Sequence, residues 1–214
     1  MCGFAGFVGE VENREQVLEN MIDTIIHRGP DSSGKFVDED AALGFRRLSI
    51  IDLSESGDQP LYNEDRSKVL VFNGEIYNYQ ELREELIQAG HTFVSNTDSE
   101  TLIHGYEQWG EELVYRLRGM YAFAIWDQKA KRLFSARDIF GIKPLYYAQM
   151  NGTLMFGSEI KSFLEHPKFD KVFNEDALGN YLSFQFVPTN ETFFKGVFCV
   201  QPGHYFVYEN GKMT

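Results

Sequence analysis

The order in which hydrophobic periodicity changes along this chain constrains its fold more than any single residue does. Residues 1–9 (MCGFAGFVG) mix Phe and Val with small residues and read as a buried strand that starts at the terminus itself. Leu18, Met21, Ile22, Ile25 and Ile26 then fall at i, i+3, i+4, i+7 and i+8, the apolar face of a helix, and Gly29-Pro30 breaks it. Strand-like stretches at 41–52 and 68–72 enclose a polar loop at 54–59. A helix is predicted over 79–89, with Leu82, Leu86 and Ile87 on one face. Another starts at Asp98 or Ser99 and runs through Leu102, Ile103 and Tyr106. Residues 120–126 and 132–136 read as strands about a polar turn, and 146–149 and 153–156 flank Asn151-Gly152, a strong hairpin signal. Short helices are predicted over 159–164 and 175–184. Strands first, helices in the middle and hairpins late predict an α+β fold rather than a βαβ repeat.

The last element carries a further expectation. Residues 204–208 lead into Asn210-Gly211, with three residues beyond, an arm too short to complete a hairpin. The chain therefore reads as one domain cut from a longer protein, with 1–190 as its body and 191–214 as a truncated hairpin segment. A length of 214 residues is ample for one core.

Twenty Lys and Arg against 32 Asp and Glu give a formal charge of −12, which argues against nucleic acid or an anionic membrane as partner. No apolar run approaches the ~20 residues of a membrane span. With two cysteines, Cys2 and Cys199, no disulfide framework is expected, and a reducing cytoplasm is the predicted setting. Neither GxGxxG nor GxxxxGK[ST] occurs, so no nucleotide-binding loop is expected.

Four places combine residue types that suit chemistry. Cys2 directly follows the initiator Met. It is either a small buried thiol or, once Met1 is removed, a nucleophile that carries its own base, since an α-amine with a pKa of about 8 is suited to proton transfer at neutral pH. Asn73-Gly74 ends an apolar strand. It is either an ordinary turn or a pair of donors, side-chain NH2 and unobstructed backbone N–H, for a tetrahedral oxyanion. Arg46-Arg47 lies in an apolar strand whose alternation sends one guanidinium to each side, into water or toward a carboxylate in a pocket. Asp98 stands at a helix start, as a cap or as a partner for a ligand ammonium. An arginine and an aspartate around one thiol would read the two ends of an α-amino acid.

These residues sit in a longer series of motifs: Met1-Cys2-Gly3-Phe4-Ala5-Gly6, His27-Arg28-Gly29-Pro30-Asp31, Arg47-Leu48-Ser49-Ile50-Ile51-Asp52, Phe72-Asn73-Gly74-Glu75-Ile76-Tyr77-Asn78, Thr97-Asp98-Ser99-Glu100 and Phe140-Gly141-Ile142-Lys143-Pro144-Leu145-Tyr146-Tyr147. In this order and over essentially the whole chain they resemble the class II glutamine amidotransferase domain, and more narrowly the glutaminase domain of glutamine-hydrolysing asparagine synthetases. The resemblance implies a four-layer αββα sandwich of the N-terminal-nucleophile hydrolase type, with two packed, mainly antiparallel sheets. It implies Cys2 as nucleophile on the glutamine side-chain amide, with Asn73 and Gly74 as the oxyanion hole. Arg47 would hold the α-carboxylate, Asp98 with Glu75 the α-amino group, and the backbone of Ser49, Ile50 and Ile51 would line the substrate.

The resemblance further implies that a C-terminal synthetase domain of the same protein uses the released ammonia, ATP and Mg to convert aspartate. No Ser-Gly-Gly-x-Asp-Ser loop occurs here, so that step and its cofactors are expected outside this chain, and no cofactor or metal within it. Glutamine is the expected small-molecule partner, with a homodimer as an open expectation. Phe45 stands where the family usually has His, and Ile139 where it often has a charge. Another class II amidotransferase and a non-catalytic binding module remain alternatives. Cys199 reads as core packing, and His27, His91, His104, His166 and His204 show no zinc spacing.

Overall fold

The structure is a computed structural model that describes residues 2–48 and 57–214. Among these residues the chain runs β1 (Gly3–Val8), α1 (Arg14–Asp23), β2 (Ser32–Val37), β3 (Ala41–Arg47), β4 (Leu61–Tyr62), β5 (Lys68–Ile76), α2 (Tyr79–Gln88) and α3 (Asp98–Trp109). It continues through β6 (Gly119–Asp127), β7 (Arg132–Arg137), β8 (Tyr146–Met150), β9 (Thr153–Gly157), α4 (Glu175–Phe184), β10 (Val197–Cys199), β11 (Tyr205–Glu209) and β12 (Lys212–Met213). Single 3-10 turns cover Ile26–Arg28, Gly110–Tyr115 and Ile160–Glu165.

The strands form two six-stranded sheets, in the orders β10-β8-β9-β1-β3-β2 and β12-β11-β7-β6-β5-β4, paired antiparallel throughout the described residues. Strand alternation explains why both sheets are buried on both faces. In β1, Phe4 enters the core between the sheets, while Ala5 and Phe7 pack on α1. In β5, Val69 and Val71 face the inter-sheet core, and Leu70 and Phe72 face α3. In β6, Ala122, Ala124 and Trp126 take the inner side, and Tyr121, Phe123 and Ile125 the outer one. Helix α1 covers one sheet through Leu18, Met21 and Ile22, and α2 with α3 covers the other through Leu82, Leu102, Ile103 and Tyr106. The result is the expected four-layer αββα arrangement.

Several segments differ from their sequence expectation. Ile26 and Ile87, placed on helix faces by periodicity, are about half exposed: Ile26 lies beyond the end of α1, while Ile87, inside the last turn of α2, is off the face that buries Leu82 and Leu86. Residues 159–164 form a 3-10 turn rather than an α-helix. Strands β2, β4 and β10 carried no sequence signal; they are short or alternate polar with apolar at a sheet edge. The strand expected over 41–52 is observed to Arg47, and residues 49–56 lie outside the described residues.

The C-terminal segment also departs from expectation. A two-residue arm does complete the hairpin, with Tyr208 opposite Met213 and Glu209 opposite Lys212. Asn210 and Gly211 adopt the left-handed φ values of 51° and 76° that a two-residue hairpin turn needs. Within residues 191–214, β10 extends one sheet through β8, and β11 extends the other through β7.

Candidate active site

The period-two rule that builds the inter-sheet core also builds a site at one end of it. Asn73 continues the inward-facing series Val69, Val71, and Arg47 continues the series Ala41, Leu43, Phe45. Cys2, two residues before Phe4, packs against the same core. All three therefore reach the mouth of the cleft between the sheets, where a cavity of about 690 Å³ opens. Its walls include Cys2, Arg47, Asn73, Gly74, Glu75 and Asp98, so the structure brings together every sequence-predicted site residue that it describes. Ser49, Ile50 and Ile51 lie outside the described residues.

The thiol is held by backbone. Leu48 N–H points at Cys2 Sγ from 3.4 Å, and the Leu48 carbonyl lies 3.6 Å from it, within reach of the S–H. Arg28, on the 3-10 turn after α1, donates from Nε to the Cys2 carbonyl at 3.0 Å and from a terminal nitrogen to Glu159 Oε1 at 2.9 Å. Glu159 also meets His27 at 2.9 Å and Lys161 at 3.3 Å, so three basic groups hold its carboxyl below the usual range although burial opposes them. The main chain at Cys2 is thus clamped by a half-buried ion pair drawn from 26 and 157 residues away in sequence.

Asn73 is 2 % exposed, and its Nδ2 has no hydrogen-bond partner among the described residues. A buried amide donor left without a partner costs about 1–3 kcal/mol, which a fold retains where a ligand completes the bond. Gly74 beside it is fixed by close approach: a Cβ there would lie 2.2 Å from the Met120 carbonyl oxygen. Gln59 closes the neighbouring edge of β5, accepting from Phe72 N–H at 2.6 Å and donating to the Phe72 carbonyl at 3.1 Å.

Arg47 is 7 % exposed and pairs with Asp58 at 2.8 Å, while Arg46 turns to the opposite face and donates to the Ile22 carbonyl of α1 at 3.2 Å. One guanidinium on each side is what strand alternation predicts. Asp98 is the first residue of α3, and its carboxylate accepts from Ile76 N–H at 2.8 Å, tying the helix start to the end of β5. Burial is the main cause that pushes the Asp98 carboxyl upward, and the adjacent Glu75 charge adds to it; the backbone donors of Ile76, Asp98 and Ser99 oppose the shift. The Asp98 side chain is not a cap: Thr97 occupies the N-cap position with extended φ and ψ. Lys143, 7 % exposed, completes the opposite wall.

Sequence reasoning assigned no role to Arg28, Glu159, Leu48, Gln59 or Lys143. Arg28 and Lys143 stood inside quoted motifs, each a basic residue one position from a proline-bearing turn or within two residues of a glycine, and that was the available signal. Leu48 acts through its backbone, which no side-chain pattern reveals. Phe45 is buried in the inter-sheet core and lines the cavity with an apolar ring. Ile139 is 70 % exposed and outside the cavity wall. Cys199 is half-buried beside Arg137, 3.0 Å from Sγ, and burial pushes its thiol up; it takes no part in the site.

No helix among the described residues is long and apolar enough to cross a membrane. In fold, the chain resembles the glutamine phosphoribosylpyrophosphate amidotransferase of Bacillus subtilis with a TM-score of 0.72 at 21% identity, over all of this chain and 48% of that one. Among sequence relatives, it is 47% identical to asparagine synthetase [glutamine-hydrolyzing] 1 of Bacillus subtilis over 100% of this chain and 34% of that protein. It is 42% identical to a putative asparagine synthetase [glutamine-hydrolyzing] of Mycobacterium bovis, over 95% of this chain and 34% of that protein. The chain thus spans about a third of the length of the curated relatives it matches. The glutamine amidotransferase domain family matches residues 1–214 without interruption. With a thiol at a strand end, a buried amide without a partner among the described residues, and an arginine and aspartate around one cavity, this chain belongs to the glutamine amidotransferase domain family.

Proposed function

We propose that this chain hydrolyses the side-chain amide of glutamine to glutamate and ammonia. The observation that carries the reading is the Asn73 Nδ2, buried without a partner among the described residues in the cavity that Cys2 also lines. Once Met1 is removed, the α-amine of Cys2 takes the thiol proton, and Sγ attacks the amide carbon. The carbonyl oxygen becomes an oxyanion that accepts from Asn73 Nδ2 and the Gly74 N–H. Collapse of the tetrahedral species breaks the C–N bond, and the amine proton leaves with the nitrogen as ammonia. A thioester remains on Cys2. Water, deprotonated by the same amine, adds to it, and glutamate departs as the thiol is restored. Arg47 pairs the glutamine α-carboxylate in place of part of its contact with Asp58, and Asp98 with Glu75 receives the α-ammonium.

This chemistry needs no metal or nucleotide in the chain. In the longer protein implied by its relatives, the ammonia serves a synthetase domain that activates aspartate with ATP and Mg. A reducing cytoplasm suits a free thiol nucleophile, and the charge of −12 gives neither nucleic acid nor an anionic membrane a role in the reaction. Self-association into a homodimer is compatible with this chemistry and not required by it.

The test is release of glutamate and ammonia from glutamine, with intact-mass measurement of the N-terminus. Loss of one methionine mass and loss of release in Cys2→Ala are expected. A fully active Cys2→Ala protein would sink the proposal.

A further inference from the structure

Away from the cavity lining, between α3, the segment after α2 and the turn between β4 and β5, two imidazoles and two carboxylates converge. His104 and Glu107 stand at i and i+3 on α3 and share a face. His91 arrives from the segment after α2, and Glu64 from the turn between β4 and β5. Glu107 Oε2 lies 3.1 Å from His104 Nδ1 and 3.8 Å from His91 Nδ1, and Glu64 Oε1 lies 3.9 Å from His104 Nδ1. A tetrahedral zinc ion with bonds of about 2.0–2.1 Å needs donors about 3.3–3.4 Å apart. These donors are therefore within about half an ångström of that spacing.

What lies behind each donor matters as much as the spacing. A ligating imidazole presents one nitrogen and has the other held by an acceptor, and ligating carboxylates are themselves hydrogen-bonded. His104 turns its Nε2 to the buried Glu100, 3.6 Å away, which leaves Nδ1 facing the cluster. His91 turns its Nε2 to Gln108 Oε1 at 3.1 Å and likewise leaves Nδ1 inward. Asn63 Nδ2 donates to Glu107 Oε1 at 2.7 Å, which leaves Oε2 turned to His104 Nδ1, its hydrogen-bond partner at 3.1 Å. Glu100 in turn accepts from Val94 and Ser95 N–H at 2.7 and 2.8 Å. Three carboxylates meet two imidazoles here, and Lys68, whose charge also reaches Glu107, places its ammonium 3.5 Å from Asp127. The cluster thus has a donor set of mixed nitrogen and oxygen, a supporting layer for His91, His104 and Glu107, and an excess of negative charge.

We propose that His91, His104, Glu107 and Glu64 bind one divalent cation of the zinc type, which fastens α3 to the segment that precedes it. The ligands come from three separate stretches of chain, so no linear spacing signalled them. The site lies apart from the amide chemistry, yet α3 begins with Asp98, and the segment between His91 and α3 supplies Asn96 and Thr97 to the cavity wall. A bound cation would hold that wall in place, while the metal takes no part in bond breaking.

The test uses the full protein as Cys2→Ala, so that the thiol does not compete for metal. Zn2+ is titrated against a chromophoric chelator, and Co2+ is added in parallel to read coordination from visible absorption. One equivalent of Zn2+ with a Kd below about 1 μM, tetrahedral Co2+ bands and a rise in Tm on Zn2+ addition are expected. His91→Ala, which removes a half-buried ligand, and Glu107→Gln should each weaken Zn2+ binding at least 100-fold. Near-UV circular dichroism confirms that each variant is folded; His91→Ala decides alone if Glu107→Gln is not. The proposal is overturned if the Cys2→Ala protein takes up no Zn2+ at micromolar concentration, or if His91→Ala binds it as tightly as its parent.

Discussion

Asn73→Leu separates what this residue does for catalysis from what it does for the fold. Leu has nearly the outline of Asn and no polar atoms, so the change removes the buried Nδ2 that lacks a partner without opening a cavity. Leaving such a donor unmet costs about 1–3 kcal/mol. Part of that returns as stability, less some strain from the added methyl volume, for a net gain of about 1 kcal/mol. In a domain of this size that is a rise in Tm of about 2–4 °C. Activity moves the other way. Removal of one oxyanion donor lowers kcat by about 100- to 1000-fold, roughly 3–4 kcal/mol of transition-state stabilisation, with a smaller effect on KM. Thermal unfolding and glutamate release on the same preparations measure both. A Leu variant that melts below the parent, or that keeps more than about a tenth of its kcat, refutes the assignment of Asn73 as a donor kept unpaired for the transition state.

Three further outcomes follow from named groups. Asp98→Asn should lower kcat/KM for glutamine about 10- to 100-fold through KM, because a charged hydrogen bond to the α-ammonium is worth about 1.5–3 kcal/mol; since burial raises the Asp98 carboxyl, the acid limb of kcat/KM in the parent should lie above the ordinary carboxylate range, and an acid limb that is unchanged in Asp98→Asn would count against it. His166 is 2 % exposed beside Phe7, and burial, with smaller contributions from Lys168 and Arg14, drops its imidazole to about 4. Its folded value is depressed, so its contribution to stability is complete above the unfolded value of about 6.5 and is lost as pH falls toward 4, by about 3 kcal/mol at about 1.4 kcal/mol per tenfold change in proton affinity; denaturant unfolding of His166→Phe across that window should show a shallower loss than the parent. Arg28→Ala should lower kcat with little change in KM, because it frees the Cys2 carbonyl and leaves Glu159 without its guanidinium; an equal loss in both parameters would assign Arg28 to substrate binding instead.

Much of this architecture was legible before any coordinates. The apolar runs of β1, β3, β5 and β6 gave the strands, but which side of each faces inward came only from the packing, and the inward series is what carries Cys2, Arg47 and Asn73 to one cleft. The Asn151-Gly152 turn announced a hairpin that formed, whereas the hairpin at Asn210-Gly211, expected to stay incomplete, closes with an arm of only two residues. The helix stripes were over-extended at Ile26 and Ile87, since periodicity registers neither where the backbone leaves the helix, as before Ile26, nor how wide a face the neighbouring layer covers, as at Ile87.

The sequence by itself determined which residues had the chemistry: a thiol at the second position, an amide before a glycine, an arginine in an apolar strand and an aspartate at a helix start. It could do so because local periodicity and residue type are properties of neighbours in the chain. Only the tertiary structure decided the rest. It left the Asn73 amide without a partner among the described residues, turned the Leu48 backbone and Arg28, paired with Glu159, onto Cys2, and brought His91, His104, Glu107 and Glu64 together. Those contacts join segments up to 131 residues apart, and they are set by how two sheets and their covering helices pack, which no local pattern encodes.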